Sequence, residues 1–236
     1  MLMARSSIYR VFFSILAVSA LQAGGCYLFC RRMDQHRMVL VENAFGAAYY
    51  VILFAVGLFA VTFFLCRTGW ETSSKTGYTL RRLSISERQV FLWQAVYNAL
   101  VYVIFWTSQV VLIFILARWH IALYNGGDFS EFMLFFRSAF VRGFWSMEDS
   151  FGFVRNGLLC LMLGFTSARY PLAQRQGKRF GEIFPAFLIT LAVWSRSLYA
   201  DGGSDALATA ASLFFIGFSL AKVLKKEETE DYYDEY

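Results

Sequence analysis

Apolar and polar positions fall into long blocks along this chain. A helix needs about 20 apolar residues to cross the hydrocarbon of a bilayer. Six stretches approach that length, at about 11–29, 45–66, 91–117, 151–168, 183–199 and 206–224. The pattern predicts an all-α, polytopic membrane protein with six transmembrane helices. The third stretch is long enough to tilt or to project into water. The fourth carries Arg155 near its start, and the short fifth carries Arg196 near its end. Both arginines sit where a long side chain can snorkel to a headgroup.

The polar blocks between these stretches complete the plan. Asn125-Gly126-Gly127-Asp128 is a turn and helix-start signal. The aromatic-rich run behind it, interrupted by Arg137 and Arg142, is too charged to cross cleanly. It predicts an amphipathic helix lying in the outer interface or dipping into it, as a cover for the bundle or a gate over an exit path. No internal repeat and no Pro/Ser linker divides residues 1–224, which form a single transmembrane domain. The charged tail 225–236 is expected to be disordered and cytoplasmic.

Composition sharpens the class. The chain has 236 residues, of which 58% are hydrophobic and 17% charged, where a soluble domain averages about 25% charged. The net charge of +5 points to orientation in a membrane, and no nucleic-acid partner is expected. With the N-terminus inside, the inner segments hold Arg5 and Arg10, the cations from Arg67 to Arg88, those from Arg169 to Arg179, and Lys222, Lys225 and Lys226. They outnumber the outer cations, although Arg31 and Arg32 pull the other way. Both termini are therefore placed in the cytoplasm. Arg5, Arg10 and the run up to Ala23-Gly24-Gly25-Cys26 also have the form of a signal peptide. Apolar residues continue past Cys26 to Arg31, which favours an uncleaved span.

Candidate chemistry is sparse. No GxxxxGK[ST], HExxH or GxSxG motif occurs, so neither ATP binding by a P-loop nor the commonest hydrolytic sites are available to this chain. His36 and His120 are isolated. Cys66 and Cys160 stand apart, while Cys26 and Cys30 share a helical face at a spacing poor for a disulfide. They read as small apolar fillers. No catalytic, cofactor or metal site is expected, and the chain is not read as an enzyme. The acids Asp34, Glu42, Glu148, Asp149, Asp201 and Asp205 fall in predicted loops, which argues against an ion-driven carrier. Gln22, Asn98, Gln109 and Asn156 are expected to make helix–helix hydrogen bonds. Gly46, Gly57, Gly157, Gly164 and Gly217 mark expected close packing.

The loop between the second and third stretches carries the most information. It is basic, with Arg67, Lys75, Arg81, Arg82 and Arg88. Thr79-Leu80-Arg81-Arg82-Leu83-Ser84 reads as a short helix with Leu80 and Leu83 on its apolar edge. Ser84-x-x-Glu87 and Ser86-x-x-Gln89 are overlapping capping boxes. A new helix should start there and run through Val90, Trp93 and Tyr97, with Trp93 and Tyr97 anchoring the inner interface.

The order of Glu71, then Thr79-Leu80-Arg81-Arg82-Leu83, then Ser84-Ile85-Ser86-Glu87-Arg88 and an apolar helix resembles the cytoplasmic loop of bacterial type-2 ABC exporter permeases. The resemblance covers about 35 residues, with Ser84 standing where that family commonly has proline. It implies six helices per subunit, a coupling helix between spans two and three, pairing with a second permease subunit (the same or a sister chain), and a separate ABC ATPase docked on residues 67–90. It implies coupling roles for Glu71, Arg81, Arg82, Leu83, Ser86, Glu87 and Arg88, a bacterial plasma membrane as the location and membrane lipids as surroundings. The alternative expectation is a non-transporting integral membrane protein, an assembly factor or a sensor.

Overall fold

The computed structural model describes residues 2–33, 45, 48–67, 87–124, 138–145, 150–175, 181–195 and 202–234. The described residues form seven helices: α1 (Leu2–Met33), α2 (Ala48–Arg67), α3 (Glu87–Tyr124), α4 (Ala139–Phe144), α5 (Ser150–Arg175), α6 (Ile183–Ser195) and α7 (Gly202–Asp234). Their runs are mostly apolar, and in hydrocarbon each backbone group must be paired within the helix; hydroxyls inside the runs, such as Thr62 and Thr190, donate to a carbonyl one turn back on their own helix. The fold is all-helical in the described residues.

Among the described residues, five helices are long and apolar enough to cross a membrane: α1, α2, α3, α5 and α7. Of the expected fifth span at 183–199, the described residues cover 183–195. Its described helix has 13 residues, or about 20 Å of rise. Glu182 bounds the apolar run at one end and Arg196 at the other. Arg196 itself lies outside the described residues, as do Asp34, Glu42, Glu148, Asp149 and Asp201. At the C-terminus, α7 continues as helix to Asp234 where a disordered tail was expected. A membrane helix already supplies the nucleus, so adding further turns is cheap.

α5 lies at the centre of the bundle, packed against α3, α7, α6 and α2, while α1 packs on α2 and α3. One contact sets the α3–α5 distance. A Cβ on Gly164 would stand 2.7 Å from the Ala99 Cβ and 2.8 Å from its backbone, so only glycine allows this approach. Gly57 meets Val18 of α1 and Phe105 of α3 in a similar way. Gly157 and Gly217 face open space instead, and Gly46 lies outside the described residues.

The core is aromatic. Phe54 of α2 stacks on Phe105 of α3 at 5.6 Å and meets Phe144 of α4 edge-on at 5.0 Å and Trp194 of α6 at 5.9 Å. Such tilted and edge-to-face pairs add about 0.5–1.5 kcal/mol each beyond the area they bury. The short helix α4 is thus driven into the bundle, with Phe140, Val141 and Phe144 all buried. Ser138 caps it by accepting the Val141 amide proton. Of the predicted amphipathic segment only residues 138–145 are described, and 125–137 and 146–149 lie outside the described residues. Outside the core, Phe13 is 72% exposed, Trp93 76% and Leu207 73%, an outer surface suited to lipid and costly in water.

Candidate functional site

The densest polar group in the described residues is built around two adjacent positions of α5. Arg155 Nη1 pairs with Asp205 Oδ1 of α7 at 2.5 Å. Its Nη2 donates to the Gly143 carbonyl at 3.0 Å and to Asn156 Oδ1 at 3.2 Å. Asn156 Nδ2 donates to the carbonyls of Gly143 and Phe144 at 3.2 and 3.1 Å. Its Oδ1 accepts from Trp194 Nε1 of α6 at 3.1 Å. Trp106 Nε1 of α3 donates to the same Phe144 carbonyl at 3.2 Å.

The reason for this convergence is local. A helix leaves its last carbonyls without intrahelical partners, and α4 ends deep in the bundle where water cannot supply them. Arg155, Asn156 and Trp106 do so, and the cation also meets the negative end of the helix. Asp205 sits in the first turn of α7, where the positive end favours an acid.

Two sequence expectations are corrected here. Arg155 does not snorkel to a headgroup: it is 1% exposed, because the α4 carbonyls and Asp205 satisfy it inside. Asp205 belongs to a helix and not to a loop.

The opposite end of the same three helices carries a second charged group. Arg169 of α5 pairs with Glu182, just before α6, at 2.7 Å, and Glu182 also meets Lys222 of α7 at 3.5 Å. Phe218 lies under both cations, 5.2 Å from the Arg169 guanidinium carbon and 4.1 Å from Lys222 Nζ, a cation–π arrangement. Between the two ends, Asn98 Nδ2 donates to Ser167 Oγ at 2.9 Å and the Tyr102 hydroxyl to Thr62 Oγ1 at 3.0 Å.

Asn98 and Asn156 thus make the interhelical bonds expected of them. Gln22 and Gln109 do not: both are fully buried, and neither amide atom has a partner. All four cysteines are buried, and His120 is buried as well.

Of the residues expected to couple to an ATPase, Glu71, Arg81, Arg82, Leu83 and Ser86 lie outside the described residues. Glu87 and Arg88 open α3, with Arg88 exposed. The structure does not bring these two to the Arg155 group, which meets α3 at Trp106, near the middle of that helix. The partners Asp205, Trp194 and Gly143 were missed from sequence. The only signal was the adjacent polar pair Arg155-Asn156 inside an apolar stretch.

With each side-chain nitrogen of Arg155 bonded and both polar atoms of Asn156 used, this arrangement joins α3, α4, α5, α6 and α7 and is not poised to react. No protein-family model matches the chain, and no curated protein or solved structure matches it either.

Proposed function

We propose that this chain is the membrane-spanning permease subunit of an ATP-driven exporter, gripped by a separate ABC ATPase at residues 67–90. The observation that carries the reading is the sequence order from Glu71 to Arg88 leading into α3, a single helix of 38 residues. Such a helix can carry a displacement from one face of the membrane to the other. Its first turns pack through Phe91 and Ala95 on Ala168 and Val223. Its middle is held to α5 at Ala99–Gly164 and Asn98–Ser167. Further on, Trp106 bonds to the end of α4. A push at Arg88 would therefore reach α5 directly and α4 through one hydrogen bond. ATP closure on the partner is the driving step, and this chain binds no nucleotide.

The test is purification of the full chain from native membranes with and without Arg81→Glu and Arg82→Glu. The expected result is an ABC ATPase that copurifies with the wild type and is lost with the reversed charges at unchanged membrane insertion. Absence of any ATPase from the wild-type preparation would favour the non-transporting alternative.

A further inference from the structure

Two cysteines meet where the end of α1 packs on the start of α2. Cys26 and Cys30 share the buried stripe of α1, each 1% exposed, and their thiols interact. Helical residues four apart hold their Cβ atoms about 5–6 Å from each other, whereas a disulfide needs about 3.5–4.5 Å. The pair is too wide for a sulfur–sulfur bond. It suits a bridge one atom longer: at about 2.3 Å per metal–thiolate bond, a linear sulfur–metal–sulfur unit spans about 4.6 Å.

Two phenols complete the group. A Cβ on Gly25 would stand 2.9 Å from the Tyr49 ring, so glycine lets α2 close on α1 beside Cys26. The Tyr49 hydroxyl stands next to the Cys26 thiol without closing a hydrogen bond to it, and Tyr50 lies within electrostatic reach of the same thiol. Both hydroxyls are buried with no hydrogen-bond partner, and Tyr50 is 0% exposed. Phe29 stands 5.7 Å from the Tyr49 ring, and Phe45 and Phe140 stand 5.2 and 5.3 Å from the Tyr50 ring, an aromatic wall that keeps water off the sulfurs.

We infer that Cys26 and Cys30 form a two-coordinate site for a soft monovalent cation, Cu⁺, with Tyr49 and Tyr50 as hydrogen-bond donors to the sulfurs. Thiolates select soft cations such as Cu⁺. Among the described residues no third His, Cys, Asp or Glu joins the pair, so tetrahedral Zn²⁺ lacks its ligands, while Cu⁺ is stable between two collinear thiolates. Binding turns two thiols and one ion into a bis-thiolate complex, and the two protons leave to water. Nothing is oxidised or reduced. The complex carries one net negative charge, two from the thiolates against one from the ion. The phenol hydroxyls stabilise it, since hydrogen bonds to a charged group favour that group, and they gain the partners that the free chain does not give them. The inference is independent of the exporter reading.

The experiment is anaerobic titration of the full chain in detergent with Cu⁺ against a competing chelator, with native mass spectrometry for the stoichiometry. The expected result is one Cu⁺ per chain, lost in Cys26→Ala and in Cys30→Ala and kept in a Cys66→Ala, Cys160→Ala double variant. Tyr50→Phe should weaken binding by about 10-fold, as loss of a group that supports a ligand does. X-ray absorption at the copper edge of the wild type, which needs no variant, should show two sulfur neighbours and no nitrogen. A wild type that binds no Cu⁺, a copper atom with nitrogen or with three or more sulfurs around it, or binding that survives Cys26→Ala overturns the inference.

Discussion

On α1 and α3, Gln22 and Gln109 are buried with both amide atoms unpaired, while on α5 the equally buried Arg155 and Asn156 have partners for every side-chain nitrogen and oxygen. The two regions belong to one bundle and face the same surroundings. Their difference lies in what stands opposite. Around Arg155 the chain breaks its spans, so α4 ends with open carbonyls and α7 begins with an acid. Around Gln22 and Gln109 three helices run past one another without a break, and all their backbone groups are already used. Val18 and Phe105 meet at Gly57, and each glutamine lies one turn beyond on its own helix. A helix end supplies the partners of Arg155 and Asn156, and none stands opposite Gln22 and Gln109; where helices pass, a polar side chain is satisfied only when another polar side chain faces it, as Ser167 faces Asn98.

The comparison can be broken first at its strongest point. Asp205→Leu should destabilise the chain by about 3 kcal/mol, the low end for orphaning one member of a buried pair because Asp205 is partly exposed. Thermal unfolding in detergent reads this, and Arg155→Met with Asp205→Leu should recover most of the loss. A double variant as unstable as the single one would show that the pair is not what holds this end.

Glycine contacts give the next largest effect. Gly164→Val should cost about 1–3 kcal/mol through overpacking against Ala99. Gly217→Ala, facing open space on α7, should be neutral or gain up to about 1 kcal/mol from helix propensity. Equal melting temperatures for the two variants would refute the assigned contact.

The glutamines predict a change of the opposite sign. Gln22→Leu and Gln109→Leu should each stabilise by about 1–2 kcal/mol, because each removes a buried polar group that has no partner. A lower melting temperature in either variant would mean that the amide does gain a partner in the membrane. The smallest effect belongs to Tyr102→Phe, about 1 kcal/mol for one hydrogen bond between neutral groups, with Thr62→Val adding little once Tyr102 is gone. A double-mutant cycle checks that coupling.

Much of the architecture was legible without coordinates, and the exceptions have physical causes. Long apolar runs identify α1, α2, α3, α5 and α7 because crossing length depends on composition alone. The same logic extends the fifth run from 183 to 199, of which 183–195 is described as helix α6. Glycine by itself did not say which contacts were close: Gly57 and Gly164 are packed tightly while Gly157 and Gly217 are not, a matter of which side of a helix faces a neighbour. The coupling residues expected on 67–90 rest on their order in the chain, with Arg88 placed as an exposed residue in the first turn of α3.

The sequence by itself determined that this protein is a set of long apolar helices with charges gathered at their ends, because the free energy of placing a residue in hydrocarbon is a local property of its side chain. The tertiary structure alone decided that Arg155 turns inward to Asp205 and the α4 carbonyls, that Trp194 closes on Asn156, and that Gln22 and Gln109 go without partners. Those outcomes depend on which helix ends meet in space, and hydrogen bonding across 50 residues of chain, as between Arg155 and Asp205, leaves no trace in local composition.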